Sequence, residues 1–240
     1  MPAIWEPFLS EQDKQWLGAS GRAKTEPFGF GSKPAVLVID DYYSVLGLER
    51  LPILESVKRW PMSCGLSGWE AIDRTVDLLA TARSNDITVI FVKGLPGFPS
   101  PWGRRGDRTA RFSHLTDEEQ AKAGEIVDEL DPQPGELIIE KAAASAFRGT
   151  PLTYHLNYLG IDTILACGET TSGCVRASVV DGATERYRMG VVEECCFDRT
   201  EASHAMNLFD MDQKYADVID LASAQKYMEQ VSADRALAAD

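Results

Sequence analysis

Short apolar runs alternate with segments of helical periodicity along the chain. The runs are rich in β-branched residues, are bounded by Gly, Pro, Asp or Asn, and span residues 35–40, 87–92, 137–141, 163–166, 189–193 and 217–221. Most are apolar at successive positions, which is typical of parallel strands covered on both faces. Because helical segments separate the runs, the pattern predicts an α/β fold with one parallel sheet and helices on both of its faces.

Four segments between the runs carry helix signals. The first has a capping-box pattern at Ser67 and Glu70, followed by an apolar stripe. This stripe comprises Trp69, Ile72, Val76 and Leu79. The second has Thr150 as its N-cap and ends at Gly160. The other two predicted helices run from near Gly173 to about Arg188 and from Thr200 onward.

Two regions lie outside this alternation. Residues 1–33 are expected to form an N-terminal extension with a short helix that begins at Ser10, packed on the domain of residues 34–240 or on a neighbouring subunit. Residues 94–112 mix Gly, Pro, aromatic and Arg residues, which predicts a long loop that closes over a small polar substrate or mediates assembly. The side chains considered for these roles are Phe98, Trp102, Arg104, Arg105 and Arg108.

The composition is that of a self-sufficient domain with an acidic balance. Among 240 residues, 37 Asp and Glu oppose 24 Lys and Arg, which gives a net charge of −13. Nucleic acid and anionic membranes would repel such a chain, so neither is expected as a partner. No apolar run approaches the roughly 20 residues needed to span a bilayer, and the N-terminus does not resemble a secretory signal. Five cysteines without paired spacing favour reduced thiols and a cytoplasmic protein.

Three polar residues stand at the ends of predicted strands. Asp40 ends the first run, Lys141 ends the third, and Cys174 follows the fourth through the turn Gly-Glu-Thr-Thr-Ser-Gly. In an open parallel sheet, ligands bind beyond the carboxyl ends of the strands, so these side chains are expected to converge at one rim.

The chemistry of this trio points to acyl transfer. Cys174 would lie at the start of a helix, where the helix dipole and Lys141 are expected to lower the pKa of the thiol. Asp40 could accept the thiol proton and deliver it to a departing amine. Each residue also has an ordinary interpretation, because Cys is often buried in a core, Asp often occupies turns and Lys is usually solvated.

Two segments carry a family resemblance. Residues 167–178 read Cys-Gly-Glu-Thr-Thr-Ser-Gly-Cys-Val-Arg-Ala-Ser, and residues 36–40 read Val-Leu-Val-Ile-Asp. They resemble the isochorismatase-like cysteine hydrolases, and the resemblance extends from about residue 33 to 222. It implies a three-layer α/β/α fold with a six-stranded, mainly parallel sheet, and a catalytic set of Asp40, Lys141 and Cys174.

The resemblance also implies finer features of the site. The family has a cis peptide before its nucleophile, which corresponds to the bond between Glu169 and Thr170, and an oxyanion hole that corresponds to the backbone N–H groups of Thr170 and Cys174. In the N-carbamoylsarcosine amidase branch, an Arg binds the substrate carboxylate, and Arg199 occupies that place. The alternative for Arg199 is a surface ion pair with Asp198 or Glu201.

The resulting prediction is an amidohydrolase without a cofactor that cleaves a C–N bond in a small linear amide or ureide bearing a carboxylate, and releases ammonia. A maleamate-type or ureidoacrylate-type amidohydrolase, or a protein that binds a small acid or senses thiol oxidation, remains an alternative. No metal is expected, because the three histidines are widely separated, and no nucleotide site, because a glycine-rich phosphate loop is missing. By resemblance, we expect a homo-oligomer, either a dimer or a tetramer.

Overall fold

Six parallel strands form a single sheet in the computed structural model, which describes residues 3–21, 23–95 and 112–239. The strands are β1 (Pro34–Ile39), β2 (Thr88–Gly94), β3 (Leu137–Lys141), β4 (Thr163–Glu169), β5 (Arg188–Phe197) and β6 (Asp217–Ile219). Their order across the sheet is β3-β2-β1-β4-β5-β6, and every neighbouring pair is parallel. The strands predicted from the six apolar runs are therefore confirmed.

Helices cover both faces of this sheet. The described helices are α1 (Glu11–Ser20), α2 (Tyr43–Leu46), α3 (Ile53–Ser56), α4 (Leu66–Ser84), α5 (Asp117–Lys122), α6 (Leu152–Leu159), α7 (Arg176–Thr184), α8 (Glu201–Lys214) and α9 (Leu221–Ala239). All residues of β1 and β4 are buried. Since successive side chains of a strand point to opposite faces, this complete burial requires cover on both sides. The three-layer α/β/α fold is thus confirmed, with an entirely parallel sheet.

The helix signals are confirmed in part. Thr200 caps α8 by accepting a hydrogen bond from the Ser203 N–H, and Ser10 caps α1. The capping box expected at Ser67 is wrong, because α4 already begins at Leu66 and the Ser67 hydroxyl donates to the carbonyl oxygen of Cys64 at 2.9 Å. The apolar stripe of α4 packs into the core as expected.

The predicted helix from Gly173 to Arg188 is shorter than expected. A π-helical turn, Thr171–Val175, precedes α7, and α7 ends at Thr184 because β5 already begins at Arg188. This places Cys174 in the turn rather than in the first turn of the α-helix.

The N-terminal segment packs on the same chain, beside β6. The ammonium of Lys24 lies 2.8 Å from Asp212 and 2.6 Å from Asp217, and Asp217 also accepts hydrogen bonds from the N–H groups of Phe28 and Gly29. These charged contacts are largely buried, so they attach the segment to the edge of the sheet.

Two further expectations concern the loop 94–112 and membrane-spanning helices. The aromatic and Arg side chains considered for the loop 94–112 lie outside the described residues. Among the helices that the structure does describe, none is both long and apolar enough to cross a membrane.

Gly168 brings the ends of β1 and β4 close together. Its φ is +110°, and a Cβ atom at this position would lie 2.1 Å from the carbonyl oxygen of Ile39. Only glycine fits so close to a neighbouring backbone in this conformation. The residues that follow Ile39 and Gly168 therefore lie side by side at the rim of the sheet.

Candidate active site

The three residues expected at the strand ends converge at one point of the rim. The Nζ atom of Lys141 lies 2.7 Å from Oδ2 of Asp40 and 3.3 Å from Sγ of Cys174. The sheet order explains this position: successive strands run outward from β1 in one direction and from β4 in the other. Ligand sites in open α/β sheets form at such a switch point, beyond the carboxyl ends of the strands.

Lys141 reaches the site from two strands away. Its ammonium also donates a hydrogen bond to the carbonyl oxygen of Ala143 at 3.2 Å, so its three donors have three acceptors. Burial lowers the pKa of this ammonium, but the interactions with the Asp40 carboxylate and with the sulfur of Cys174 outweigh burial and leave the pKa raised. Lys141 is therefore a permanent cation between the acid and the thiol.

The thiol of Cys174 differs from the sequence prediction. Burial and the neighbouring Asp40 carboxylate raise its pKa to about 12, although Lys141 acts in the opposite direction. The prediction of a lowered pKa is wrong for this resting arrangement, because burial raises the pKa and Asp40 balances the charge of Lys141. The arrangement is a neutral thiol beside an ion pair.

The turn that carries Cys174 wraps around one carbonyl group. The N–H groups of Gly173 and Val175 donate hydrogen bonds to the carbonyl oxygen of Thr170 at 2.9 and 3.2 Å. Cys174 is the residue between these two donors. The peptide bond between Glu169 and Thr170 is cis, as the resemblance implies. The oxyanion role of the Thr170 and Cys174 amides stays a prediction.

Arg199 lies beside this turn and is held by Glu169. Its Nη2 atom is 2.7 Å from Oε1 of Glu169, and its Nε atom donates to the carbonyl oxygen of Met62 at 2.9 Å. The alternative considered for Arg199, a surface ion pair with Asp198 or Glu201, is not what the structure shows, since Arg199 pairs with Glu169 at the end of β4. The side chain of Arg199 is one-third exposed, whereas that of Glu169 is almost fully buried.

Two acids at the rim have no functional role in the sequence prediction. There, Glu169 is named only for its peptide bond with Thr170, and Asp41 is not named. Burial raises the pKa of both carboxyl groups, and for Asp41 the negative charges of Glu169 and Asp40 add to this effect. The rule that selected Asp40, a polar residue at the carboxyl end of a buried strand, applies equally to both.

The remaining cysteines and histidines lie outside this cluster. Burial raises the pKa of each remaining thiol above its ordinary value, which describes inert core residues: Cys64, Cys167, Cys195 and Cys196. His204 is hydrogen-bonded through Nδ1 to the hydroxyl of Thr171 at 2.8 Å, and His155 and His114 lie on other elements. Across residues 3–21, 23–95 and 112–239, no three His, Cys, Asp or Glu side chains group as metal ligands.

Comparison with known proteins agrees with the fold. The sequence profile of the isochorismatase domain matches residues 67–223. Maleamate amidohydrolase of Pseudomonas putida is 33% identical over 208 residues, covering 85% of this chain and 91% of that protein. N-carbamoylsarcosine amidase of an Arthrobacter species is 30% identical, covering 84% and 73% of the two chains.

A solved structure gives the same picture of the fold. An isochorismatase-like hydrolase from Alkaliphilus metalliredigens superposes with a TM-score of 0.65 over 81% of this chain and 98% of that one, at 24% identity. The profile covers more than half of the sequence, and the relatives cover most of it. The chain therefore belongs to the isochorismatase family and is an isochorismatase-like hydrolase whose curated relatives include amidohydrolases.

Proposed function

We propose that the protein is a cysteine-dependent amidohydrolase that cleaves a C–N bond in a small linear amide or ureide bearing a carboxylate and releases ammonia. One observation carries this proposal: the ammonium of Lys141 contacts both Asp40, at 2.7 Å, and the sulfur of Cys174, at 3.3 Å. A nucleophile, a proton acceptor and a fixed positive charge are the parts that acyl transfer through sulfur requires.

In the first half of the reaction, the sulfur of Cys174 attacks the carbonyl carbon of the substrate while Asp40 accepts the thiol proton. Because the pKa of the thiol is raised to about 12, thiolate is scarce at neutral pH, so proton transfer accompanies the attack. The backbone N–H groups of Thr170 and Cys174 donate hydrogen bonds to the oxyanion. Asp40 then returns the proton to the leaving nitrogen, and ammonia departs.

The second half regenerates the enzyme. The intermediate is a thioester when the substrate is an amide and a thiocarbamate when it is a ureide. Water adds to its carbonyl carbon as Asp40 takes a proton from the water, and the bond to sulfur breaks as the proton passes to Cys174. Throughout, Lys141 stays protonated and balances the negative charge that develops on sulfur or oxygen.

The substrate class rests on Arg199 and on the relatives. Maleamate and N-carbamoylsarcosine, which appear in the names of two relatives, each combine an amide nitrogen with a carboxylate. Arg199 is one-third exposed beside the Cys174 turn, and its planar guanidinium suits a carboxylate. We propose an N-carbamoylsarcosine-like substrate. Maleamate and ureidoacrylate are the alternatives, and the same mechanism would cleave a C–N bond in either of them.

Ammonia release from a substrate panel tests the proposal. The panel contains N-carbamoylsarcosine, other N-carbamoyl amino acids, maleamate, ureidoacrylate, biuret and nicotinamide. We expect one carboxylate-bearing member to be hydrolysed, and Cys174→Ser to reduce its turnover by about three orders of magnitude or more while circular dichroism and melting stay as in the wild type.

A matched variant separates the nucleophile from thiols in general. Cys195→Ser makes the same atomic change on β5, where the side chain lies in the core, and is expected to retain turnover. Activity near wild type in Cys174→Ser would refute the mechanism. Thiol sensing is the less favoured use of the site, because redox-sensing cysteines have lowered pKa values and that of Cys174 is raised.

A further inference from the structure

The carboxyl group of Glu169 neutralises Arg199, the cation to which the proposed function assigns the substrate carboxylate. Asp40 already balances Lys141, at 2.7 Å, and Glu169 balances Arg199 at the same distance. With both ion pairs formed, Lys141 and Arg199 have no net charge left for an anionic ligand. A second anion beside Arg199 would also lie close to the carboxylate of Glu169, which disfavours it.

Two polar contacts of Glu169 are made by the same oxygen. The Thr170 hydroxyl donates to Oε1 at 2.9 Å, and Nη2 of Arg199 lies 2.7 Å from that same Oε1. A proton added to the other oxygen, Oε2, leaves these two contacts to Oε1 available and removes the negative charge that offsets Arg199.

We propose that Glu169 is a specificity-determining residue that controls the charge of Arg199, so that a carboxylate-bearing amide binds with uptake of one proton on Oε2 of Glu169. The inference rests on the proposed function, in that Arg199 receives the carboxylate. It adds that affinity for anionic substrates depends on pH and that Glu169, not Arg199 alone, sets this dependence.

The surroundings of Glu169 favour the protonated form. Burial raises its pKa, and Arg199 is the main group that opposes this effect. When Arg199 turns to a substrate carboxylate, that opposition weakens and the pKa of Glu169 rises further. The other titratable groups that face it are Asp40 and Asp41 beyond β1, Cys64 ahead of α4 and Cys174 in the turn, with Lys141 beyond Asp40 and Asp198 beside Arg199.

Calorimetric titration of the Cys174→Ala protein tests the proposal without turnover. The ligands are maleamate and N-carbamoylsarcosine, with maleamide as the neutral counterpart, at pH 6, 7 and 8 in two buffers of different ionisation enthalpy. We expect affinity for the carboxylate ligands to fall by up to about tenfold per pH unit, with uptake of about one proton. Maleamide should show neither effect.

Three further substitutions in the Cys174→Ala protein identify the group that takes up the proton on binding. In Glu169→Gln, carboxylate ligands should bind at least tenfold more tightly at pH 8, without proton uptake. Arg199→Gln should abolish this gain. Glu193→Gln makes the same change at a half-buried carboxyl on β5 whose pKa is also raised by burial. This control should show the same affinities and the same proton uptake as the Cys174→Ala protein with Glu169 intact.

The outcomes separate this proposal from the proposed function. Binding that stays pH-dependent in Glu169→Gln, that survives Arg199→Gln, or that is absent for both carboxylate ligands in Glu169→Gln would overturn the role of Glu169. Ammonia release from a carboxylate substrate would still support the amidohydrolase in each of those cases. Conversely, proton-linked binding without turnover would support Glu169 and count against the hydrolytic mechanism.

Discussion

Lys141 and Asp40 form an ion pair 2.7 Å long whose two side chains are 5% and 1% exposed. A pair so deeply buried costs free energy to desolvate and is stable only while both partners are present. Its position next to Cys174 gives a functional reason for this cost, because the pair holds a charge-balanced proton acceptor within reach of the sulfur.

Removing one partner of this pair should destabilise the fold. Lys141→Met leaves the Asp40 carboxyl buried without its cation, and we expect the free energy of unfolding to fall by about 3–5 kcal/mol in urea titrations at pH 7. The double variant Lys141→Met/Asp40→Asn removes both charges and should recover part of that loss, while both proteins lack turnover.

A surface pair provides the matched control for that measurement. Lys58→Met breaks an ion pair with Glu55 in which both side chains are more than half exposed. Its cost should stay within about 1 kcal/mol. Equal costs for Lys58→Met and Lys141→Met would contradict the buried character of the Lys141 pair.

The thiol of Cys174 should alkylate slowly at neutral pH. Because its pKa is raised to about 12, the rate of reaction with iodoacetamide should rise about tenfold per unit between pH 7 and 10 without a plateau. Asp40 contributes to the raised pKa, so Asp40→Asn should make the thiol more acidic and faster to alkylate at pH 8, although turnover is lost. Mass spectrometry of the Cys174 peptide measures both rates, and a plateau below pH 8 in the wild type would contradict the neutral resting thiol.

The sequence indicates the location of the site better than its charge state. Contiguous apolar runs predict buried parallel strands, and residues at their carboxyl ends must share a rim, which is why Asp40, Lys141 and Cys174 could be placed together. The pKa of Cys174 depends on its burial and on its distances from Asp40 and Lys141, which are set by long-range packing. The partner of Arg199 is likewise a long-range contact, since Glu169 lies 30 positions earlier in the chain.

Two errors in the fold arise from local signals. The Ser67 pattern predicts a cap, but the helix begins one residue earlier, at Leu66. Its N-cap is Gly65, which packs so closely on the backbone of Ile53 that a Cβ would not fit. No helix is predicted after residue 221, although the buried residues of α9 follow a helical spacing. Those residues are Leu221, Ala224, Met228 and Val231.

Gly168 should be intolerant of a side chain. In Gly168→Ala, the new Cβ would meet the Ile39 carbonyl oxygen at 2.1 Å in a backbone conformation unfavourable to Ala, so β1 and β4 must move apart. We expect a loss of about 2–4 kcal/mol in unfolding free energy and a lower kcat, because Asp40 follows Ile39 directly. Gly160→Ala is the control: its φ is also positive, at +67°, but nothing lies within 4 Å of the added Cβ, and its cost should be about 1–2 kcal/mol without a change in kcat.

Asp41 should make stability depend on pH. Its side chain is buried, and neither carboxyl oxygen has a hydrogen-bond partner among the residues that the structure describes. Burial, with the charges of Glu169 and Asp40, raises its pKa well above the ordinary value. The folded protein therefore holds a proton on Asp41 that the unfolded chain releases above about pH 4.

The sign of this linkage is fixed by the direction of the shift. Because the folded state binds the extra proton, Asp41 lowers the free energy of unfolding as pH rises from about 4 towards its folded-state pKa, by up to about 1.4 kcal/mol per pH unit. Asp41→Asn keeps the shape without the titration, so the stability of the variant relative to the wild type should increase with pH. Urea unfolding of both proteins at pH 5.5, 6.5 and 7.5 measures this difference, and Glu169 and Glu193 contribute equally to both. A difference that is constant across these pH values would mean that Asp41 is ionised in the folded protein.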